Sequence, residues 1–376
     1  MIHPRELYDQ LARGGLDYYV GVPDSLLKSF CAYVSDQSTD GQHMIAANEG
    51  NAVALAMGYH LSTGKVPVVY LQNSGLGNLV NPLLSLADKE VYSVPILFVI
   101  GWRGEPGVKD EPQHVKQGRV MLPLLDAMEV PYGLLDGDRS ASHDVIAQAL
   151  NMVVGHGASF ALVVKKGALG GYEGVNRKET LSLNREWVIE QIVEALGEDT
   201  IVVSTTGKAS RELFECRETK GHGHGRDFLT VGGMGHASQI ALGIAMQKPT
   251  RQVVCIDGDG AALMHLGSFA INGIMGSKNF KHILINNGAH ESVGGQPTVG
   301  FDVELSKIAL AAGYSWAFVA TEEESFAQGL EQLLENSGPA LLEVRVQCDS
   351  RSNLGRPTRT PVQNKNDFME FLSRKP

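Results

Sequence analysis

A chain of 376 residues, 43% hydrophobic and 20% charged, has the composition of a globular protein of two or three domains, and its formal charge of −10 argues against nucleic acid or an anionic membrane as a general partner. No run is long and apolar enough to span a membrane, and the start, MIHPRELYDQLARGGLDYYV, carries Asp and Glu where a secretory signal needs an apolar core. Cys31, Cys216, Cys255 and Cys348 are scattered without metal-ligand spacing, as expected of a reduced, cytoplasmic protein.

Hydrophobic periodicity predicts a helix near 5–14, a strand in LDYYVGV, a helix over 25–35, a strand in HMIAA, a helix over 50–62, a strand in VPVVYLQ, a helix near 78–88 and a strand in VPILFVI. A long polar loop, GWRGEPGVKDEPQHVKQG, follows, and helix 141–154 with strand SFALVVK closes the first half. The Gly-rich stretch near 166–184 lacks sustained periodicity and reads as a linker. The second half predicts helix 185–196, strand TIVVST, helix 207–216, strand DFLTV, helix 236–246 and the stretch from Cys255 to Gln296. Helix 303–312, strand SWAFV, helix 322–336, strand ALLEVRV and a possible short helix near 366–373 complete it. Strands alternating with helices imply parallel sheets covered on both faces, so the expected fold class is α/β with two doubly wound parallel-sheet domains. There is no internal repeat at short period. The expected boundaries are a first domain over 1–168, a linker over 169–184 and a second domain over 185–376 that includes the C-terminal tail.

The stretch CIDGDGAALMHLGSFAINGIMGSKNFKHILINNGAHESVGGQ organises the chemistry. Two apolar runs, VVCI and HILI, stop at Gly258-Asp259-Gly260 and at Asn286-Asn287-Gly288. Ligands of open parallel sheets bind outside the carboxyl ends of the strands, so Asp259 and Asn287 should converge on one crevice. An Asp carboxylate, an Asn amide oxygen and a backbone carbonyl are hard donors suited to Mg²⁺ shared with phosphate oxygens. The glycines let the backbone approach a bulky anion, and a helix from Ala261 would point its N-terminus at it. Taken singly, each tripeptide is also an ordinary turn.

Together, at this spacing, Gly-Asp-Gly and Asn-Asn resemble the diphosphate-metal signature of thiamine-diphosphate enzymes. The resemblance implies the thiamine-diphosphate-binding fold, a pyrimidine-binding domain followed by a diphosphate-binding domain with no third domain between them. It implies thiamine diphosphate as cofactor and Mg²⁺, or another divalent cation, held by Asp259, Asn287 and the Ala289 carbonyl, with Gly258, Gly260 and Ala261 beside the diphosphate. Glu49, in AANEGNAVALAMGYHLSTG, sits between an apolar strand and a small-residue helix, where the family's activating glutamate meets the cofactor's aminopyrimidine. From the residues alone it reads first as a first-turn Glu favoured by the helix dipole, and the resemblance reverses that reading. In Val231-Gly232-Gly233-Met234-Gly235-His236, the resemblance makes the Gly232 carbonyl an acceptor for the aminopyrimidine and Met234 the wedge that bends the cofactor. It also implies a homodimer or a dimer of dimers, with each active site between subunits.

Substrate selection is expected in loops at the strand ends: Asp24 and Ser25 in GVPDS, Asn73 in QNSG, and Arg103, Lys109, Gln113 and His114 in the long loop. Asn73 is expected to serve the cofactor as well. VPDSLL, QNSGLGN, GWRG with DEPQH, TTGKASRELFE, MGHASQIALGIA, NNGAHESVGGQPT and LGRPTRTP resemble the phosphonopyruvate and sulfopyruvate decarboxylases. A small anionic 2-oxo acid, phosphonopyruvate in the first instance, is the implied substrate. Arg103 is the best fork-shaped donor for its charges, with Lys109, His114 and Lys208 in support, whereas Arg211 and Arg351 read as surface pairs. His114, His290 and Glu291 are candidates for the later proton transfers. A flavin-dependent carboligase is disfavoured by length, a dinucleotide dehydrogenase by the missing G-x-G-x-x-G, and a silent binding subunit by the joint presence of Glu49, Asp259 and Asn287.

Overall fold

The computed structural model describes residues 1–175 and 181–374; part of the expected linker, 176–180, lies outside the described residues. The chain divides into two compact units, Met1–Asn176 with His290–Gln296, and Arg177–Ala289 with Pro297–Pro376.

The first unit is built from strands β1 (Tyr19–Gly21), β2 (His43–Ile45), β3 (Val68–Gln72), β4 (Leu97–Gly101), β5 (Tyr132–Leu135) and β6 (Phe160–Val164). Its helices are α1 (Pro4–Arg13), α2 (Lys28–Gln37), α3 (Glu49–Thr63), α4 (Leu76–Pro82), α5 (Pro112–Ala127) and α6 (Arg139–Leu150). All strand pairs are parallel, in the order β2-β1-β3-β4-β6-β5. Alternate side chains face opposite ways along a strand, and each face here has its own core. Val69, Leu71, Phe98, Ile100, Ala161 and Val163 pack under α3, α4 and α5, while Val68, Tyr70, Leu97, Val99, Phe160 and Leu162 pack under α1, α2 and α6. Apolar residues on both faces are what a doubly wound sheet requires.

The second unit contains β7 (Ile201–Ser204), β8 (Asp227–Leu229), β9 (Val253–Gly258), β10 (Phe280–Asn286), β13 (Trp316–Ala320) and β14 (Ala340–Arg345); a two-stranded ribbon of β11 (Ala289–His290) and β12 (Gln296–Pro297) bounds the stretch His290–Gln296 that belongs to the first unit. Its helices are α7 (Arg185–Ala195), α8 (Lys208–Thr219), α9 (Ala237–Gln247), α10 (Asp259–Met264), α11 (Ser268–Met275), α12 (Leu305–Ala311), α13 (Glu323–Glu335) and α14 (Pro361–Ser373). The main sheet runs β13-β14-β10-β9-β7-β8, again parallel throughout. Numbered within its own unit, each sheet has the order 2-1-3-4-6-5, so one topology occurs twice without a sequence repeat.

Three features depart from the sequence reading. The second part of the expected polar loop is the start of α5, a 16-residue helix with Pro112 in its first turn. Pro tolerates that position because no intrahelical N–H bond is lost there. The short strand β5 was not anticipated. The helix expected from Ala261 begins at Asp259 and is interrupted near Gly267, giving α10 and α11.

Candidate active site

In a doubly wound sheet the ligand crevice opens where the strand order reverses, outside the carboxyl ends of the two strands concerned. In the first unit these strands are β1 and β3, and in the second β7 and β9.

At the first crevice, Asp24 and Ser25 follow β1, Asn73 follows β3, and Arg103 follows the adjacent β4. Buried Asn73 clasps the Arg103 backbone from both ends of its amide: Nδ2 donates to Arg103 O at 2.8 Å and Oδ1 accepts from Arg103 N at 3.1 Å. The Arg103 guanidinium donates to Ser25 Oγ at 2.8 Å and grips Asp110 through two nitrogens, with Nε to Oδ2 at 2.8 Å. Asp110 also accepts from the N–H groups of Gly104 and Glu111. Burial alone would lift its carboxyl, but Arg103 and these two N–H groups outweigh that and hold it below the usual carboxylate range. The fork expected to meet substrate is therefore already paired with an internal carboxylate. Gly104 closes the loop against α5, since a Cβ there would sit 1.9 Å from His114 O.

Asp24 is fully buried. Its Oδ2 accepts from the N–H groups of Leu26 at 3.0 Å and Leu27 at 3.3 Å, while Oδ1 has no hydrogen-bond partner. Burial pushes its carboxyl up to about 6, against the pull of the Arg103 charge. His114 is buried on the first turn of α5, Gln113 beside it is half-buried, and Lys109 is exposed.

Glu49 opens α3 and is 5% exposed. Asn78 Nδ2 donates to its Oε2 at 2.8 Å. A Cβ at Gly75 would lie 2.1 Å from Glu49 Oε1, so the turn after β3 has to pass the carboxyl without a side chain.

In the second unit, Asp259 follows β9 and Asn287 follows β10, and the two are brought together as expected: the Asn287 N–H is among the groups hydrogen-bonded to the Asp259 carboxylate. Asp259 is 3% exposed, and no basic side chain among the described residues pairs with it. Burial lifts its carboxyl to about 6 although Thr298 and the N–H groups of Asn287 and Gly260 bond to it. A buried carboxylate without a cationic partner, with an amide oxygen in the adjoining turn, suits a divalent cation. A Cβ at Gly300 would meet Asn286 Oδ1 at 2.6 Å and Asp259 Oδ2 at 2.8 Å, and Gly288 turns the chain at φ +63°. Asn286 ties these parts together, donating to Gly300 O at 2.7 Å and to Glu343 Oε1 at 2.9 Å. Asn286 was read only as part of the Asn-Asn turn and not as a tie between strands, and Thr298 and Gly300 escaped the sequence reading; the polar GGQPT run after that turn was the available signal.

Gly232 and Met234 lie in the turn between β8 and α9, where Gly233 and Gly235 adopt positive φ. Gly258, Gly260 and Ala261 line the turn and first residues after β9. Lys208, expected to reach substrate, donates to Ser350 Oγ at 2.5 Å in the C-terminal segment. Arg351 pairs with Glu186 and Glu215 at the surface as expected, whereas half-buried Arg211 donates to the Leu354 and Gly355 carbonyls. His290 lies in β11, where burial of the ring pulls the imidazole down to about 4; Glu291 follows it.

A family model described as thiamine pyrophosphate enzyme, N-terminal TPP binding domain, matches residues 5–129, and one described as thiamine pyrophosphate enzyme, C-terminal TPP binding domain, matches residues 205–344. The chain is 33% identical to the phosphonopyruvate decarboxylase of Streptomyces viridochromogenes, covering 100% of this chain and 96% of that one. It is likewise 33% identical to the phosphonopyruvate decarboxylase of Streptomyces hygroscopicus, covering 99% and 94%. The sulfopyruvate decarboxylase subunit beta of Methanocaldococcus jannaschii is 34% identical over 50% of this chain and 96% of its own. The chain therefore belongs to the thiamine pyrophosphate enzymes, in the group that holds the phosphonopyruvate and sulfopyruvate decarboxylases.

Proposed function

We propose that this enzyme decarboxylates 3-phosphonopyruvate to phosphonoacetaldehyde, with thiamine diphosphate and Mg²⁺, and so serves phosphonate biosynthesis. The observation that carries the reading is the match along essentially the whole chain to two phosphonopyruvate decarboxylases. Sulfopyruvate is the second reading, favoured by the similarity to a sulfopyruvate decarboxylase subunit over half of the chain.

Bound thiamine diphosphate supplies a nucleophilic carbon for the keto group and a sink for the electrons left when carbon dioxide departs. The protein's own residues have the remaining tasks. Asp259, Asn287 and the Ala289 carbonyl hold the cation, and Gly258, Gly260 and Ala261 let the diphosphate approach. Glu49, 5% exposed and hydrogen-bonded by Asn78, would hold and release a proton where a bound aminopyrimidine meets it, and the Gly232 carbonyl and Met234 would orient that ring. Asp24, Ser25 and Arg103 form the substrate end, with Asn73 holding the Arg103 backbone in place. Gln113, His114 and Lys109 border that end, Lys208 is a weaker member given its bond to Ser350, and His114, His290 and Glu291 handle the later protons. Loss of carbon dioxide consumes one proton, which is delivered to the carbon that carried the carboxylate.

The assembly is a homodimer or a dimer of dimers with the site between subunits. Support comes from the second unit, where Ile240 and Met246 of α9 and Ile271, Ile274 and Met275 of α11 are exposed, Ile274 by 78%. Free thiols at all four cysteines and the absence, among the described residues, of any helix able to cross a membrane support a cytoplasmic location. Turnover of phosphonopyruvate that requires both thiamine diphosphate and Mg²⁺ tests the reading, with sulfopyruvate and pyruvate as comparison substrates.

A further inference from the structure

Beneath the Gly-Asp-Gly turn, the core of the second unit contains a line of polar side chains that the proposed chemistry does not use. Asp257 is the last side chain before Gly258-Asp259, and its Oδ1 accepts the Gly258 N–H at 2.9 Å. The parallel register of β9 and β10 sets His282 opposite Cys255, two residues before Asp257, and His282 Nε2 faces Asp257 Oδ2 at 3.5 Å. His282 Nδ1 is 3.0 Å from the Tyr314 hydroxyl, which accepts from Asn272 Nδ2 at 3.0 Å. Asn272 Oδ1 in turn accepts from Gln239 Nε2 at 2.7 Å. Asp257, His282, Tyr314 and Asn272 are at most 3% exposed, and Phe269 and Phe280 flank the imidazole.

The donor count orders the protons. Asn272 donates into the phenol oxygen, so the phenol's own proton is free to point at His282 Nδ1, and burial helps Tyr314 keep it by pushing its hydroxyl up. With Nδ1 accepting the phenol proton, the ring N–H falls on Nε2, which faces Asp257 Oδ2 at 3.5 Å without a hydrogen bond formed between them. The Cys255 thiol, Asp257 and His282 bring their ligand atoms within 4.8 Å of one another, but a metal would need the Nε2 lone pair, which this order assigns to a proton.

We propose that His282 and Tyr314 are positioning residues for cofactor binding: through Asp257 they fix the Gly258-Asp259 turn relative to the first turn of α9. Gln239, at the far end of the line, lies in that first turn, and its N–H bonds to His236 O at 3.2 Å next to the Gly232–Met234 segment. The line thus joins the two stretches of this unit assigned to the cofactor. The inference rests on the reading of Asp259 as a metal ligand.

The test is calorimetric titration of apo protein with thiamine diphosphate at fixed Mg²⁺, for wild type, Tyr314→Phe, His282→Leu, His282→Gln and Asp259→Asn. Tyr314→Phe and His282→Leu should weaken binding by about tenfold, the low end of the ~10–100-fold carried by direct partners of a metal ligand, because they act on Asp259 only through Asp257 and the Gly258 N–H. His282→Gln, whose amide can still donate toward Asp257, should fall between these and wild type, and turnover should recover at saturating cofactor. Wild-type affinity in folded Tyr314→Phe and His282→Leu, with binding lost in Asp259→Asn, would overturn the positioning role alone. Undiminished binding by Asp259→Asn would overturn the metal assignment and the inference with it. Selective ¹⁵N-histidine NMR of the wild type provides a check independent of any variant's folding: an Nε2–H tautomer at His282 supports the proton order, and an Nδ1–H tautomer overturns it.

Discussion

Replacing Asp24 with asparagine should make the protein more stable at neutral pH while removing a group assigned to the substrate end. The Asp24 carboxyl is fully buried, holds two backbone N–H groups through one oxygen and leaves the other without a partner. A Cβ at Gly101 would stand 2.0 Å from its Oδ2, so the end of β4 packs directly against it. Burial raises its pKa from 3.8 to about 6. Because the folded value lies above the unfolded one, the stability tied to this proton is fully present below about pH 3.8 and is lost as pH rises through about 6. At about 1.4 kcal/mol per pKa unit, the loss comes to about 3 kcal/mol. Asparagine escapes it and can still accept the Leu26 and Leu27 N–H bonds. Any cost of an unpartnered amide N–H is independent of pH, so it cancels when two pH values are compared. Denaturant unfolding of apo wild type and Asp24→Asn from pH 4 to 7.5 should therefore show the variant gaining about 2.4 kcal/mol on wild type across that range, the remainder being lost already below pH 4. A difference that stays flat with pH, or that moves toward wild type as pH rises, would refute the argument.

Three further outcomes are expected. Glu49→Gln should bind thiamine diphosphate with near wild-type affinity and lose at least about 100-fold in kcat, because the proton exchange is removed and the packing around Gly75 and Asn78 is kept; calorimetry and steady-state turnover together check this. Asp259→Asn should abolish Mg²⁺-dependent retention of the cofactor on gel filtration, and full retention would overturn the cation site. Arg103→Lys should raise KM for phosphonopyruvate at least about tenfold and change KM for pyruvate much less, since lysine keeps the charge and loses the fork. Equal changes for both acids would remove Arg103 from phosphonate recognition. Lysine is preferred to alanine because Asp110, which Arg103 grips, would otherwise be left mostly buried without a cation, at a cost of about 3 kcal/mol or more.

Much of this site was legible because strand ends announce themselves. VVCI and HILI stop at polar, glycine-containing turns, and those turns became the loops that hold Asp259 and Asn287. Glu49 could be placed for the same reason, between an apolar strand and a small-residue helix. What stayed hidden was set by long-range pairing. Nothing local tells that Arg103 closes on Asp110 rather than standing free, or that Lys208 reaches Ser350. The helix α5 was obscured because its first residues, Pro112-Gln113-His114, continue a polar Gly- and Pro-rich run, and Pro123 lies inside it. The repeated 2-1-3-4-6-5 order belongs to tertiary structure, since strands of unrelated sequence pair equally well in it. The line from Gln239 to Asp257 is assembled from five separate segments, and only the fold brings them together.

The most direct test of the central claim is decarboxylation of phosphonopyruvate by the purified protein, with thiamine diphosphate and Mg²⁺ added together, singly or not at all, and sulfopyruvate assayed alongside. The account predicts release of carbon dioxide and phosphonoacetaldehyde only when both are present, with kcat/KM for the phosphonate exceeding that for the sulfonate. Turnover of sulfopyruvate alone would contradict the substrate assignment, and turnover of phosphonopyruvate without the cofactor would contradict the mechanism.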